Sequence, residues 1–243
     1  MRRREVLTGL AGVGLTGVGL AGAGLAGLAA GARAARAAPG AAPAVLELFT
    51  SQGCSSCPPA DALLGRLAAR PDVITLAWHV DYWNGLGWID RFATPFATAR
   101  QRAYAAALRQ DVFTPALVVD GTSMVIGSDE MAIAAAIATS ARMPVACSLE
   151  RAGGGLTANV TAPAGTTGLL AFYDPVRVSA IGAGENDGRH LREFHIVRQS
   201  MVLDGKAMAA PRLALPPPGA GQGAVLLIQA EDLRVLGAAM VPA

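Results

Sequence analysis

Leu46-Glu47-Leu48-Phe49-Thr50-Ser51-Gln52-Gly53-Cys54-Ser55-Ser56-Cys57-Pro58-Pro59-Ala60-Asp61 is the stretch on which the reading of this chain turns. The apolar run from Ala44 to Phe49 has the signature of a β-strand. Pro58 and Pro59 suit the first turn of a helix, where no N–H donor is missed, and Leu63, Leu64 and Leu67 then share one helical face as far as Arg70. Two cysteines three apart therefore stand between a strand end and a helix start. There they can close a short disulfide, and the free N–H groups of the helix, with the positive end of its dipole, favour a thiolate on Cys54. Such a pair suits thiol–disulfide exchange, with Cys54 attacking and Cys57 resolving. A structural disulfide and half of a metal site are the alternatives. The chain has three cysteines and no second C-x-x-C, so a four-cysteine zinc site is excluded, and neither a metal nor a cofactor is expected.

Working outward, Val73 to Val80 reads as a second strand, joined to the first by a helix and hence parallel to it through a right-handed crossover. Pro95 to Arg109 reads as a helix. Ala116-Leu117-Val118-Val119 and Met124-Val125-Ile126 flank Asp120-Gly121-Thr122-Ser123, a hairpin signal, and Ser128-Asp129-Glu130 opens a last helix that runs to Ser140. Strand, helix, strand, helix, hairpin, helix is the thioredoxin-like order. Beyond it lie six strand-like runs, at 145–150, 156–161, 168–180, 191–203, 224–230 and 234–240, with no convincing helix. The expectation is an α/β thioredoxin-like domain over 39–142, followed over 143–243 by a small all-β domain resembling an antiparallel sandwich.

The first 38 residues read as an export signal. Arg2, Arg3 and Arg4 precede an uncharged stretch from Val6 to Ala30, and Ala32-Arg33-Ala34 and Ala35-Arg36-Ala37 offer small-x-small cleavage sites. Arg3-Arg4-Glu5-Val6-Leu7 resembles a twin-arginine signal. An uncleaved membrane anchor is the alternative, and it alone would bring the protein to a membrane. Either way the body is expected outside the cytoplasm, periplasmic or extracellular, where disulfides persist. The full chain carries +2; without the five arginines and Glu5 of the signal, 15 basic and 17 acidic residues leave −2. A near-neutral body without a basic stripe excludes nucleic acid as the partner.

The long run from Leu46 to Asp61 resembles the signature of an uncharacterised bacterial family of secreted thioredoxin-like proteins, catalogued as a domain of unknown function. The resemblance continues through His79-Val80-Asp81-Tyr82-Trp83, Leu86-Gly87-Trp88, Arg100-Gln101, Tyr104, Phe113-Thr114-Pro115, Asp120-Gly121, Gly184-Glu185-Asn186, Gly188-Arg189 and Val197-Arg198. Asn84 and Phe113 depart from it, standing where an acid and a Tyr are expected. What the resemblance implies is a thioredoxin-like fold and a thiol–disulfide role, with no substrate specified. Thr114-Pro115, heading the hairpin, falls where thioredoxin-like proteins carry a cis-proline facing the disulfide, and the Thr114 backbone there would pair with an extended substrate.

Other site residues each have two readings. Glu47 points away from the Leu46 and Leu48 face and either takes the proton of the resolving thiol or is held by an arginine. His79 and Asp81, at the carboxyl end of the second strand, either tune the thiolate or bond a turn. Tyr82, Trp83 and Trp88 line a substrate groove or roof the core. Glu185 and Arg189 reach over the disulfide or serve a hairpin loop. Cys147 reads as a free thiol packed like a small hydrophobe. The leading function is an exported oxidoreductase acting on protein or small-molecule thiols and disulfides. A non-catalytic binding module, such as a copper carrier using Cys54, Cys57 and His79, is the other.

Overall fold

The computed structural model describes residues 42–140 and 143–243, and the export signal read at 1–38 lies outside them. The first half follows its local pattern closely. Strand β1 (Ala44–Thr50) leads to helix α1 (Pro58–Leu67), strand β2 (Val73–His79) and helix α2 (Pro95–Leu108), then to the hairpin β3 (Ala116–Val119) and β4 (Ser123–Ile126) and helix α3 (Glu130–Thr139). Each helix start has a local cause. Pro58 and Pro59 occupy the first turn of α1. Thr94 caps α2 by accepting the Ala97 N–H, and Asp129 caps α3 by accepting that of Ala132. The hairpin turns on Asp120 and Gly121, both at positive φ.

The remaining chain forms β5 (Cys147–Ala152), β6 (Gly155–Val160), β7 (Thr167–Ala180), β8 (His190–Leu203), α4 (Gly205–Met208), β9 (Arg212–Leu215), β10 (Gly223–Gln229) and β11 (Val235–Val241). Two of these elements escape the sequence reading. Helix α4 is a single turn capped by Asp204, and β9 is four residues bracketed by Pro211 and Pro216, both too short to show a period.

The sheet topology overturns the expected fold class. There is no α/β thioredoxin-like domain followed by a separate small all-β domain. The molecule is mostly β, with one eight-stranded mixed sheet in the order β11-β10-β7-β8-β2-β1-β3-β4 and a second, three-stranded sheet, β5-β6-β9. Strands from both halves of the chain thus share one sheet, joined where Ala77 of β2 pairs in parallel with Ile196 of β8. The physical reason is edge pairing. Local pattern identifies β2 as a strand but not the partner for its second edge, and an open apolar edge recruits whatever strand the rest of the chain can deliver.

Packing follows from this sheet. On one face, Val45 and Phe49 of β1 join Leu76 and Trp78 of β2, Leu169 and Ala171 of β7 and Val225 and Leu227 of β10, with Ala97 and Tyr104 of α2 laid over them. The opposite face has two covers. Leu46, Leu48, Ala77 and Leu117 lie under Leu63, Leu64 and Leu67 of α1 and Ile133 of α3. Leu170, Phe172, Ala224, Leu226 and Ile228 lie under Leu149, Leu156, Ala158 and Leu213 of the small sheet. The expected sandwich is therefore a small sheet packed on an extension of the main one. Contact between the halves is tight at Gly65 of α1, where a Cβ would stand 2.4 Å from the Phe194 ring of β8.

Candidate functional site

The turn after β1 is tightly bonded. Gly53 N–H donates to Ser51 Oγ (3.1 Å), Cys54 N–H to Ser51 O (3.2 Å) and Cys57 N–H to Cys54 O (3.2 Å). Cys57 then serves as N-cap of α1, its carbonyl accepting from the N–H groups of Ala60 (2.9 Å) and Asp61 (3.1 Å). Cys54 and Cys57 form a disulfide with Cα atoms 5.4 Å apart. Both cysteines are fully buried in this oxidised state, while Ser55 and Ser56 stand exposed between them.

The sequence-named neighbours divide. The Thr114–Pro115 bond is cis, and the Thr114 hydroxyl donates to Cys54 Sγ at 3.3 Å. Trp83 Nε1–H donates to that same Thr114 oxygen at 2.9 Å, and the Ser56 hydroxyl lies 3.3 Å from Cys54 Sγ. Tyr82 OH donates to Gln101 Oε1, whose amide in turn donates to Phe113 O at 2.6 Å, which fastens the 113–114 segment to α2. Trp88 Nε1–H donates to Gln52 Oε1 at 3.0 Å. Glu185 accepts the Ser55 N–H at 3.0 Å. Arg189 contributes backbone bonds to its own turn, and its side chain is exposed. Asp81 is bonded instead to Thr98 of α2, its N–H donating to the Thr98 hydroxyl (3.0 Å) and its carboxylate accepting from it (2.6 Å).

Glu47 takes the second of its two readings. Its carboxylate accepts from Arg100 Nε (2.6 Å) and Nη2 (2.8 Å), Trp78 Nε1 (2.8 Å) and Tyr104 OH (2.5 Å). Both oxygens are consumed by a buried ion pair, a structural use of the charge.

Behind the disulfide lies a buried polar cluster that local pattern does not reveal. Gln52 donates to Ser179 Oγ (2.9 Å) and both oxygens of Glu193 (3.0 and 3.1 Å), and its N–H donates to Asp90 (2.9 Å). His79 Nδ1 meets Asp90 at 2.7 Å, and its Nε2 faces Glu193 at 3.8 Å. Burial alone would lower the His79 pKa, but Asp90, then Glu193 and Asp61, raise it above 6.5. Burial would raise Asp90, and His79 instead holds it below 3.8. Glu193 is raised by burial, with His79 opposing. Asp61, one turn into α1, is pushed up to about 7 by burial, with His79 opposing and Glu193 and Asp90 reinforcing. Asp61 also lines a cleft of about 310 Å³ beside Pro58, His190, Arg192 and Phe194.

Asn186 completes the frame, its Nδ2 donating to Gln52 O and Cys54 O at 2.9 Å each. Sequence assigned a site role only to its neighbours Glu185 and Arg189, Asn186 entering there within the Gly184-Glu185-Asn186 run of the family resemblance. Glu193 carried one signal, an acid at an inward-facing position of an alternating strand; Asp90 carried none beyond lying in a polar turn, and Asn186 none beyond its place in the resemblance. Cys147 is partly buried, its thiol pushed up to about 11 by desolvation, as suits a packed side chain.

A family described as "Protein of unknown function (DUF1223)" matches residues 45–229, three quarters of the chain, from β1 to the end of β10. The protein belongs to this family. Among solved structures, a protein from Agrobacterium tumefaciens is 28% identical, with a TM-score of 0.70 over 84% of this chain and 96% of its own. HBP35 of Porphyromonas gingivalis is 15% identical, with a TM-score of 0.55 over 83% of this chain and 75% of its own, a likeness of fold alone. Among curated proteins nothing matches. The DUF1223 match spans both halves, in keeping with the shared sheet. The described residues contain no helix long and apolar enough to cross a membrane.

Proposed function

We propose that this DUF1223 protein is exported and performs thiol–disulfide exchange through Cys54 and Cys57. The observation that carries the reading is the disulfide's position, at the N-cap of α1 with hydroxyl donors aimed at Cys54 Sγ. A substrate thiolate attacks Cys54 Sγ, breaking the S–S bond, and Cys57 leaves with the electron pair and takes a proton. A second substrate thiolate attacks the substrate sulfur of the mixed disulfide and releases Cys54 as a thiolate. Two electrons have then passed from substrate to protein, and the reverse sequence reduces a substrate disulfide. Asp61 follows Cys57 by four residues on one helix face and, pushed up to about 7, is the acid matched to exchange that proton near neutrality. Because both cysteines are buried, exchange requires the exposed Ser55-Ser56 turn to swing aside.

That same burial favours a second reading, a purely structural disulfide. A copper-carrier role draws less support, since both nitrogens of His79 face carboxylates. Insulin reduction by dithiothreitol, with Cys54→Ser and Cys57→Ser, separates the readings. Catalysis by the native protein, none by C54S and a trapped mixed disulfide on C57S are expected. A native protein without catalysis whose disulfide resists glutathione while folded overturns the proposal.

A further inference from the structure

We infer that Trp83 is a positioning residue for Cys54, acting through the hydroxyl of Thr114. The argument is one of donor counting. An indole N–H donates and never accepts, so at 2.9 Å the Thr114 oxygen must be the acceptor from Trp83 Nε1. The hydroxyl has one proton of its own; Cys54 Sγ accepts it at 3.3 Å, and the Tyr82 phenol, itself donating to Gln101, also bonds the Thr114 side chain. The indole-to-hydroxyl step is therefore fixed, and the hydroxyl hands the order on to the sulfur as N–H···O–H···S. The Ser56 hydroxyl divides between Cys54 Sγ at 3.3 Å and Thr114 O at 3.5 Å, with no buried donor to orient it as the indole orients that of Thr114. Hydrogen bonds in such a chain polarise one another, and a donor already aimed at the sulfur needs little reorganisation when charge develops there.

The surrounding contacts hold the chain in place. Trp83 Cβ sits against Gly53, where an added Cβ would approach it to 3.1 Å, so the indole is indexed on the cysteine turn itself. Gln101 holds Phe113 O at 2.6 Å and so fixes the backbone that presents Thr114. A fixed donor favours the anionic sulfur over the disulfide sulfur. Its effect is to stabilise the reduced pair and to make the disulfide the stronger oxidant, which assigns the site the direction of accepting electrons from substrate thiols. The direction rests on the exchange reading; the hydrogen-bond order does not.

The test uses the full mature protein in a glutathione redox buffer, together with the pH profile of iodoacetamide alkylation of the reduced form. Thr114→Val removes the donor and is expected to shift the dithiol–disulfide equilibrium about tenfold toward the disulfide, the size of a hydrogen bond to a charged group. The alkylation midpoint should move to higher pH. Trp83→Phe leaves Thr114 its hydroxyl but frees its orientation, and should move both readouts in the same direction by a smaller factor. Thr114→Ser should restore both. Trp83→Phe combined with Thr114→Val should equal Thr114→Val alone, because the indole acts only through the hydroxyl. Additive effects, or a Thr114→Val profile superimposable on the native one, overturn the inference. Alkylation needs no turnover, so a protein without exchange activity but with these shifts would sink the proposed function and leave the relay standing.

Discussion

Arg100→Leu should destabilise the protein by about 3–5 kcal/mol, the usual cost of removing one partner from a buried ion pair. The structure places it at this end of the scale for a specific reason. The Glu47 and Arg100 side chains are 1% and 6% exposed, and the substitution leaves a carboxylate with two of its four donors gone and no water to replace them. For a fold of this size each kcal/mol moves the melting temperature about 2–4 °C, so a fall of about 6–20 °C is expected by calorimetry at pH 7, with a matching shift in the urea midpoint. Adding Glu47→Gln should recover most of the loss. The amide carries no charge to strand; its oxygen can accept from Trp78 Nε1 and its NH2 can donate to the Tyr104 oxygen. Disulfide exchange with glutathione by the folded fraction should be unchanged in all variants. A stable Arg100→Leu protein, within about 1 kcal/mol of the native one, would refute the structural role of Glu47. So would intact stability combined with lost exchange, which would return Glu47 to the proton-handling part that its place on β1 first suggested.

Asp61 gives the protein a pH dependence of definite sign. Its folded pKa, about 7, lies above the unfolded 3.8, so its contribution to stability is complete below about 3.8 and is lost as pH rises through 7, by at most about 4 kcal/mol. Asp61→Asn should reduce the slope of urea midpoints measured from pH 4 to 8, and an unchanged slope would exclude Asp61 as its source; raised Glu193 and raised His79 add loss of the same sign above 4.5 and 6.5, and lowered Asp90 acts only as pH falls below 3.8. Asn186→Ala removes donors from two buried carbonyls at the cysteine turn and should cost about 2–3 kcal/mol by urea denaturation while speeding reduction of the disulfide by glutathione. Residues 38–142 expressed alone should not give a soluble folded protein, since β8 covers the free edge of β2 and the apolar cluster under α2 is shared with β7 and β10; a cooperative melt of that fragment would contradict the single-sheet account.

Local chemistry in the sequence was enough to determine the strand, cysteine pair and helix from Ala44 to Leu67, the capped starts of α2 and α3, and the hairpin around Gly121, because each depends on contacts within a few residues. Thr114 and Trp83 were legible at the site for a related reason: an X-Pro step before a strand and aromatics after one are local marks. Three things were settled only by the tertiary structure. Which strands share a sheet was settled by pairing between β2 and β8, more than a hundred residues apart, and this turned two expected domains into one sheet. The use of Glu47 was settled by Arg100 and Tyr104 arriving from α2 with three donors and Trp78 of β2 adding a fourth, a competition between partners that alternation along β1 cannot express. The cluster of Gln52, Asp61, His79, Asp90, Ser179 and Glu193 draws on four separate stretches of chain, and its charges acquire their shifted pKa values only when the fold removes water from all of them at once.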